Sequence, residues 1–247
     1  MKSVLITGAG SGIGAAMAIR LAREAERLVL HTASNEKGLR IVVSACEADG
    51  AHVDVVLGDL CQDAATDELI AAGKNAQIDS VVLNAGFPDW RAFGELDTQG
   101  LNQSLQLMTS ANFRLLQELT PGLLAQKRGK ILAISSFLAH KFKVGPNIVP
   151  ATATAKAALE AMIKSYAAQY AGEGICANVI VPGYIKKNAP THSPPDEAGL
   201  NRILERIPAG RLGMPDEVAD LAAFLLSSRA DYITGQLIHI DGGLLLQ

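Results

Sequence analysis

Residues 7–14 read Thr-Gly-Ala-Gly-Ser-Gly-Ile-Gly, and this stretch decides the fold. The apolar run 4–7 leads into it, and residues 14–26 follow with apolar positions at helical spacing, so it is the turn of a strand–turn–helix unit. Glycines there let backbone approach a diphosphate closely, while unpaired N–H groups and the positive end of the helix dipole offset its charge. A tight turn without a ligand would use the same residues, but its place after the first strand of an alternating series favours the diphosphate.

Working outward, further runs rich in Val, Ile and Leu recur at 28–31, 53–57, 80–83, 130–135, 176–181 and 237–240. Their unbroken apolar character predicts parallel strands buried on both faces. Segments with helical spacing lie between them, among them 35–49, 101–126 and 153–172. The alternation predicts right-handed crossovers and an α/β fold, namely a Rossmann-type, doubly wound parallel sheet of seven strands in three α/β/α layers. With 247 residues, 49% of them hydrophobic, the chain can bury one large core, and a single domain over 1–247 is expected.

Composition narrows the function. A net charge of −3 with scattered Lys and Arg leaves no basic face for nucleic acid and favours a small-molecule substrate. Cys46, Cys61 and Cys176 lack paired spacing, so neither a disulfide framework nor a metal site is expected. No secretory leader or long apolar run is present, which predicts a cytoplasmic protein without membrane spans. Residues 155–171 carry Ala, Met, Ile and Tyr nearly all round; either a partner subunit covers their outer face or this is an ordinary Ala-rich helix. Prolines and glycines gather over 182–208, which predicts a mobile substrate loop around 184–208.

Other short motifs fall in register with the turn: Asp59-Leu60, Asn84-Ala85-Gly86, Ser135-Ser136 and Pro182-Gly183, each following a strand. With Thr7, Gly8, Gly12 and Gly14 they make the chain resemble the short-chain dehydrogenase/reductase family along essentially its whole length. The tail, with 208–213, 232–235 and 241–243, is most similar to 3-oxoacyl-carrier-protein reductases. The resemblance implies a nicotinamide dinucleotide: Gly8, Ser11, Gly12, Ile13 and Gly14 at the pyrophosphate, Thr32 at the adenosine ribose, and Asp59 and Leu60 beside the adenine. It further implies Asn84, Ala85 and Gly86 on the ribose side, Pro182, Gly183 and Ile185 at the nicotinamide, and Lys156 on the nicotinamide ribose. Thr32 stands where NAD enzymes place an acid, so a 2′-phosphate is not repelled. Ser11 and Ala33 stand where NADP-preferring relatives often carry a cation, leaving His31, Ser34, Lys37 or Arg40 to contribute. The balance favours NADP(H) over NAD(H).

In this family a Tyr, lowered in pKa by a Lys, protonates a carbonyl that a Ser polarises, and an Asn relays protons through water. Ser136 and Lys156 match, but Thr152 replaces the Tyr and Met108 the Asn; Asn112 lies one turn too far along. Lys187 replaces a Thr near the cofactor, and the loop 137–150 is longer than usual. A threonine hydroxyl is too weak an acid to replace the phenol. His140, Lys141, Lys143 and Tyr184 are other candidates, whereas Tyr166 and Tyr170 suit packing. Three readings follow: an NAD(P)(H)-dependent oxidoreductase of a carbonyl or alcohol, 3-oxoacyl thioesters included; a catalytically silent homologue that pairs with an active one; or a non-redox elimination. The resemblance implies a homodimer or homotetramer formed through 101–126, 153–172 and the C-terminal strand.

Overall fold

The computed structural model describes residues 1–142, 148–186 and 197–246. The first half runs β1 (Ser3–Ile6), α1 (Gly12–Ala22), β2 (Arg27–Thr32), α2 (Glu36–Ala48), β3 (His52–Leu57), α3 (Asp63–Asn75) and β4 (Ser80–Leu83). There follow α4 (Thr98–Leu105), α5 (Ala111–Ala125), β5 (Gly129–Ile134), α6 (Pro150–Tyr170), β6 (Ile175–Pro182), α7 (Glu197–Leu204), α8 (Pro215–Leu226) and β7 (Leu237–Ile240). All seven predicted strands are present, in one parallel sheet of order β3-β2-β1-β4-β5-β6-β7. The order reverses between β1 and β4, and a ligand crevice opens at the carboxyl ends of strands at such a point.

Strand side chains alternate between two cores. Leu5, Val81, Ile131, Ala133 and Val179 pack under α3, α5 and α6, whereas Val4, Ile6, Leu28, Leu30, Val82, Leu132 and Ile180 pack under α1, α2 and α8. Both faces being covered explains the continuous apolar runs of the central strands. The edge strand β3 departs from that expectation, because Val55 and Leu57 stand 46% and 40% exposed. An edge strand has a neighbour on one side only, so part of its outer surface stays open.

The helix expected over 101–126 is interrupted. Between α4 and α5 the turn Gln106–Ser110 is a π-helix, where an added residue widens the coil. The outer face of α6 exposes Ala157, Ala161, Lys164, Ser165 and Ala168, so its burial is confined to the side facing the sheet. Residues 187–196 of the predicted substrate loop, with the prolines 190, 194 and 195, lie outside the described residues.

The two kinds of strand predict different sensitivities. Leu132→Ala, in a fully buried central strand, should cost about 2–5 kcal/mol in urea denaturation, whereas Val55→Ala at the edge should cost below about 1 kcal/mol.

Candidate active site

The site begins where β1 ends. Thr7 Oγ1 accepts the N–H groups of both Asn84 and Ala85 at 2.9 Å, and Asn84 Nδ2 donates back to the carbonyls of Thr7 and Gly8 at 3.0 and 3.1 Å. The ends of β1 and β4 are thereby clasped, and Asn84 is spent on holding the turn. On the other side, Gly8 N–H donates to His31 Nδ1 at 3.4 Å while His31 Nε2 meets the Gly58 carbonyl at 2.7 Å. That pattern requires a neutral ring protonated at Nε2, and burial, the main cause, pushes the His31 pKa down. His31 therefore braces the turn from behind and is no phosphate ligand.

The turn fits a diphosphate. Gly12 has φ +56 and nothing within 4 Å of where a Cβ would stand, so its outward side is open. Ser11 makes no side-chain cap to α1, which leaves the N–H groups of the first turn at Gly12, Ile13 and Gly14 unclaimed. A Cβ on Gly14 would strike the Gly8 carbonyl, so only glycine lets α1 begin this close to β1. Asn35 fastens the far side, donating to the Gly10 carbonyl at 2.8 Å while capping α2 at Gly38 N–H.

Around this turn the remaining candidates divide. Thr32 is buried with its Oγ1 against Gly10. Asp59 is exposed and accepts the Cys61 N–H at 2.9 Å. The Leu60 side chain lies in the core, and its carbonyl accepts the Thr66 hydroxyl at 3.2 Å. Arg40 is committed to Glu36 at 2.5 Å, while Ser34 and Lys37 are exposed. Pro182 ends β6, Gly183 N–H donates to the Ile240 carbonyl at 3.0 Å, and Ile185 pairs with Gly213.

Lys156, on α6, reaches the end of β5, and α6 also packs against the short 3-10 turn that Ser136 caps. Lys156 Nζ donates to the Ile134 carbonyl at 2.6 Å and is enclosed, and this desolvation lowers its pKa to about 8 against the opposing pull of Glu160. A Cβ added to Gly86 would stand 3.1 Å from Met108 Sδ and 3.3 Å from Lys156 Nζ. Met108 thus packs a thioether where the resemblance leads one to look for a hydrogen-bonding relay. Its carbonyl, in the π-helical turn, accepts Asn112 Nδ2 at 2.9 Å, while Asn112 Oδ1 is buried without a partner among the described residues. Ser136 Oγ accepts the Leu138 N–H at 3.2 Å, which leaves its own proton to donate.

Thr152 Oγ1 accepts the Asp89 N–H at 2.9 Å, so the loop after β4 closes onto Thr152. Asp89 is not a substitute acid: Arg91, at 2.6 Å, holds its carboxyl below the usual range. Tyr184 packs on Phe137, ring centroids 4.7 Å apart, and burial raises its pKa. Tyr166 bonds Thr120 at 2.7 Å and stacks near Tyr170, consistent with packing. Lys141 Nζ donates to the Leu244 carbonyl. Lys143 and Lys187 lie outside the described residues. Sequence reasoning passed over Glu160, whose carboxylate accepts the Ser135 hydroxyl and lies 3.0 Å from His140 Nε2. Its signal was a polar residue at each fourth position, 152, 156 and 160, in an Ala-rich helix.

Residues 8–245 match a family model described as enoyl-(acyl carrier protein) reductase. The chain belongs to the short-chain dehydrogenase/reductase family. Other members bracket it closely in length. It is 32% identical over 243 residues to YmfI, an uncharacterized oxidoreductase of Bacillus subtilis strain 168, covering 98% of each chain. It is 33% identical to the 3-oxoacyl-[acyl-carrier-protein] reductase FabG of Rickettsia prowazekii, covering 99% of this chain and 97% of the relative. Among solved structures, a gluconate 5-dehydrogenase candidate from Beutenbergia cavernae with NADP bound at low occupancy superposes with TM-score 0.91 at 28% identity, covering 100% of this chain and 97% of that one. The seven-stranded architecture is thus the family's fold, and no described helix is long and apolar enough to cross a membrane.

Burial of Lys156 carries a stability consequence. Its folded pKa, about 8, lies below the ordinary lysine value of 10.5, so above pH 8 the unfolded chain binds more protons and stability rises with pH up to about 10.5. In Lys156→Met that rise, on the order of 3 kcal/mol, should be missing when the two proteins are compared by urea denaturation across this window.

Proposed function

We propose that this chain is an NAD(P)(H)-dependent oxidoreductase acting on a carbonyl or alcohol, with 3-oxoacyl thioesters among the candidate substrates and without a tyrosine as proton donor. The observation that carries the reading is the open first turn of α1 beside Gly12, with Gly8 held against Asn84 and Ala85 and with Lys156 Nζ reaching Gly86 in the same segment. In this reading the N–H groups of Gly12, Ile13 and Gly14 hold the diphosphate, with Gly8 and Ser11 shaping the approach. Asp59 Oδ2 and the Leu60 backbone flank the adenine, Ala85 and Gly86 line the ribose side, and Pro182, Gly183 and Ile185 border the nicotinamide. A nicotinamide dinucleotide, when bound, supplies or accepts the hydride.

The chain's own residues then bind and orient. Lys156 as an ammonium has donors beyond the one given to Ile134, and these suit ribose hydroxyls. Ser136 donates its hydroxyl proton to the substrate oxygen. Thr152 already accepts the Asp89 N–H and keeps one proton to donate as a hydrogen bond, though not to transfer. Thr32 leaves the 2′ position without a repelling acid, and Ser34 and Lys37 are exposed beside it, which supports NADP(H) over NAD(H).

One observation favours a second reading. Met108 packs its sulfur against Gly86 beside Lys156, and its carbonyl accepts from Asn112, so a thioether stands where the family's relay would offer an amide. A cofactor-binding but silent homologue, assembled with an active one, fits that feature. The exposed outer face of α6 suits assembly as a homodimer or homotetramer.

Fluorescence titration with NADPH and NADH followed by a panel of ketones and 3-oxoacyl thioesters separates these readings. We expect saturable NADPH binding and slow NADPH oxidation with at least one carbonyl, accelerated by Thr152→Tyr by tenfold or more, since a positioned general acid contributes about 10²–10⁴ in rate. Tight binding with no turnover by either protein would make the silent homologue the correct reading. Thr152→Tyr also strips Asp89 N–H of its acceptor, so the variant should be less stable by about 1–3 kcal/mol.

A further inference from the structure

The outline above leaves one buried acidic group unused. Thr152, Lys156 and Glu160 share the sheet-facing side of α6 at 4%, 6% and 7% exposure, a polar stripe on a helix whose other inward positions are apolar. Lys156 meets the carbonyl of Ile134, and Glu160 meets the hydroxyl of the next residue, Ser135. The end of β5 therefore binds a cation and an anion one helical turn apart. Either charge left alone in this interior would be strongly unfavourable, and opposite charges at this spacing offset each other.

We propose that Glu160 is a positioning residue for Lys156: a buried counter-charge that keeps the lysine an ammonium, with Ser135 and His140 holding the carboxylate in place. The proposal rests on the reading in which Lys156 grips the dinucleotide. The surroundings leave Glu160 as the partner for this task. β5 offers Lys156 the Ile134 carbonyl, and the π-helical turn and the loop after β4 bring the uncharged Met108 and Gly86. Glu160, on the same helix, is the charged side chain that acts on Lys156 among the described residues. On the far side of Glu160 stands His140, ring to ring with His239 from β7 at 5.0 Å. Glu160 is thus faced by one cation and one imidazole, with Ser135 as its neutral donor.

NADPH affinity of the full chain, measured by fluorescence titration from pH 7 to 10, tests the proposal without requiring turnover. In the wild type, affinity should fall as pH rises through about 8, where Lys156 loses its proton. Glu160→Gln preserves the shape and can still bond Ser135 and His140. It should move that midpoint about one pH unit lower and weaken NADPH binding about five- to tenfold at pH 8–9. Ser135→Ala and His140→Asn leave the carboxylate in place and should move the midpoint less. An unmoved midpoint in Glu160→Gln would overturn the proposal and leave Glu160 a packing role. A wild type with no saturable affinity for NADPH or NADH at any pH would instead sink the dinucleotide reading. Thermal melting supplies a second measure should Glu160→Gln fold poorly. Combining it with Lys156→Met should restore stability, because neither charge is then left alone, and a double variant no more stable than Glu160→Gln overturns the pairing.

Discussion

Thr7 stands at the point on which the rest of the crevice depends. Its hydroxyl accepts two successive N–H groups from the segment after β4, and Asn84 answers with its amide to the carbonyls of Thr7 and Gly8. Four hydrogen bonds thus cross the one place in the sheet where strand order reverses, and they extend the β1–β4 ladder, whose last backbone bond runs from Thr7 N–H to the Val82 carbonyl at 3.0 Å. With that clasp made, the glycine turn has one conformation, α1 starts hard against β1, and its first N–H groups face outward. The open surface of the turn is backbone, and Thr7 and Asn84 hold that backbone in place.

A second constraint governs the other half of the crevice. Lys156 is enclosed between the Ile134 carbonyl, the Met108 sulfur and Gly86. Around this lysine the chain places a thioether and a glycine backbone, with the Glu160 carboxylate one turn further along α6. The contacts at 108, 112 and 152 are mutually consistent. Asn112 satisfies the carbonyl that the π-helical turn leaves at Met108, and the Asp89 N–H takes the hydroxyl left by the smaller residue at 152.

Most of the architecture was legible because buried parallel strands advertise themselves as continuous apolar runs, and the glycine spacing at 8, 12 and 14 reports a close backbone approach directly. The misreadings have physical sources. β3 carries the composition of an interior strand but lies at the edge, since Val and Leu do not encode how many neighbours a strand has. The π-helical turn left no trace, because one added residue in a long amphipathic helix barely disturbs its period. His31 looked available to a phosphate from its place at the end of β2, and only the fold reveals that its ring points back under Gly8. Glu160 was hidden by alanines, which dilute a polar stripe until the opposing strand shows which face matters.

The brace under the turn has a further implication. His31 can accept from Gly8 only while Nδ1 holds a free lone pair, and a proton there would set donor against donor beneath the first glycine. Acidification thus threatens the shape of the glycine turn through a side chain that lies behind it. The burial that keeps this imidazole neutral is what insulates the turn from mild acid.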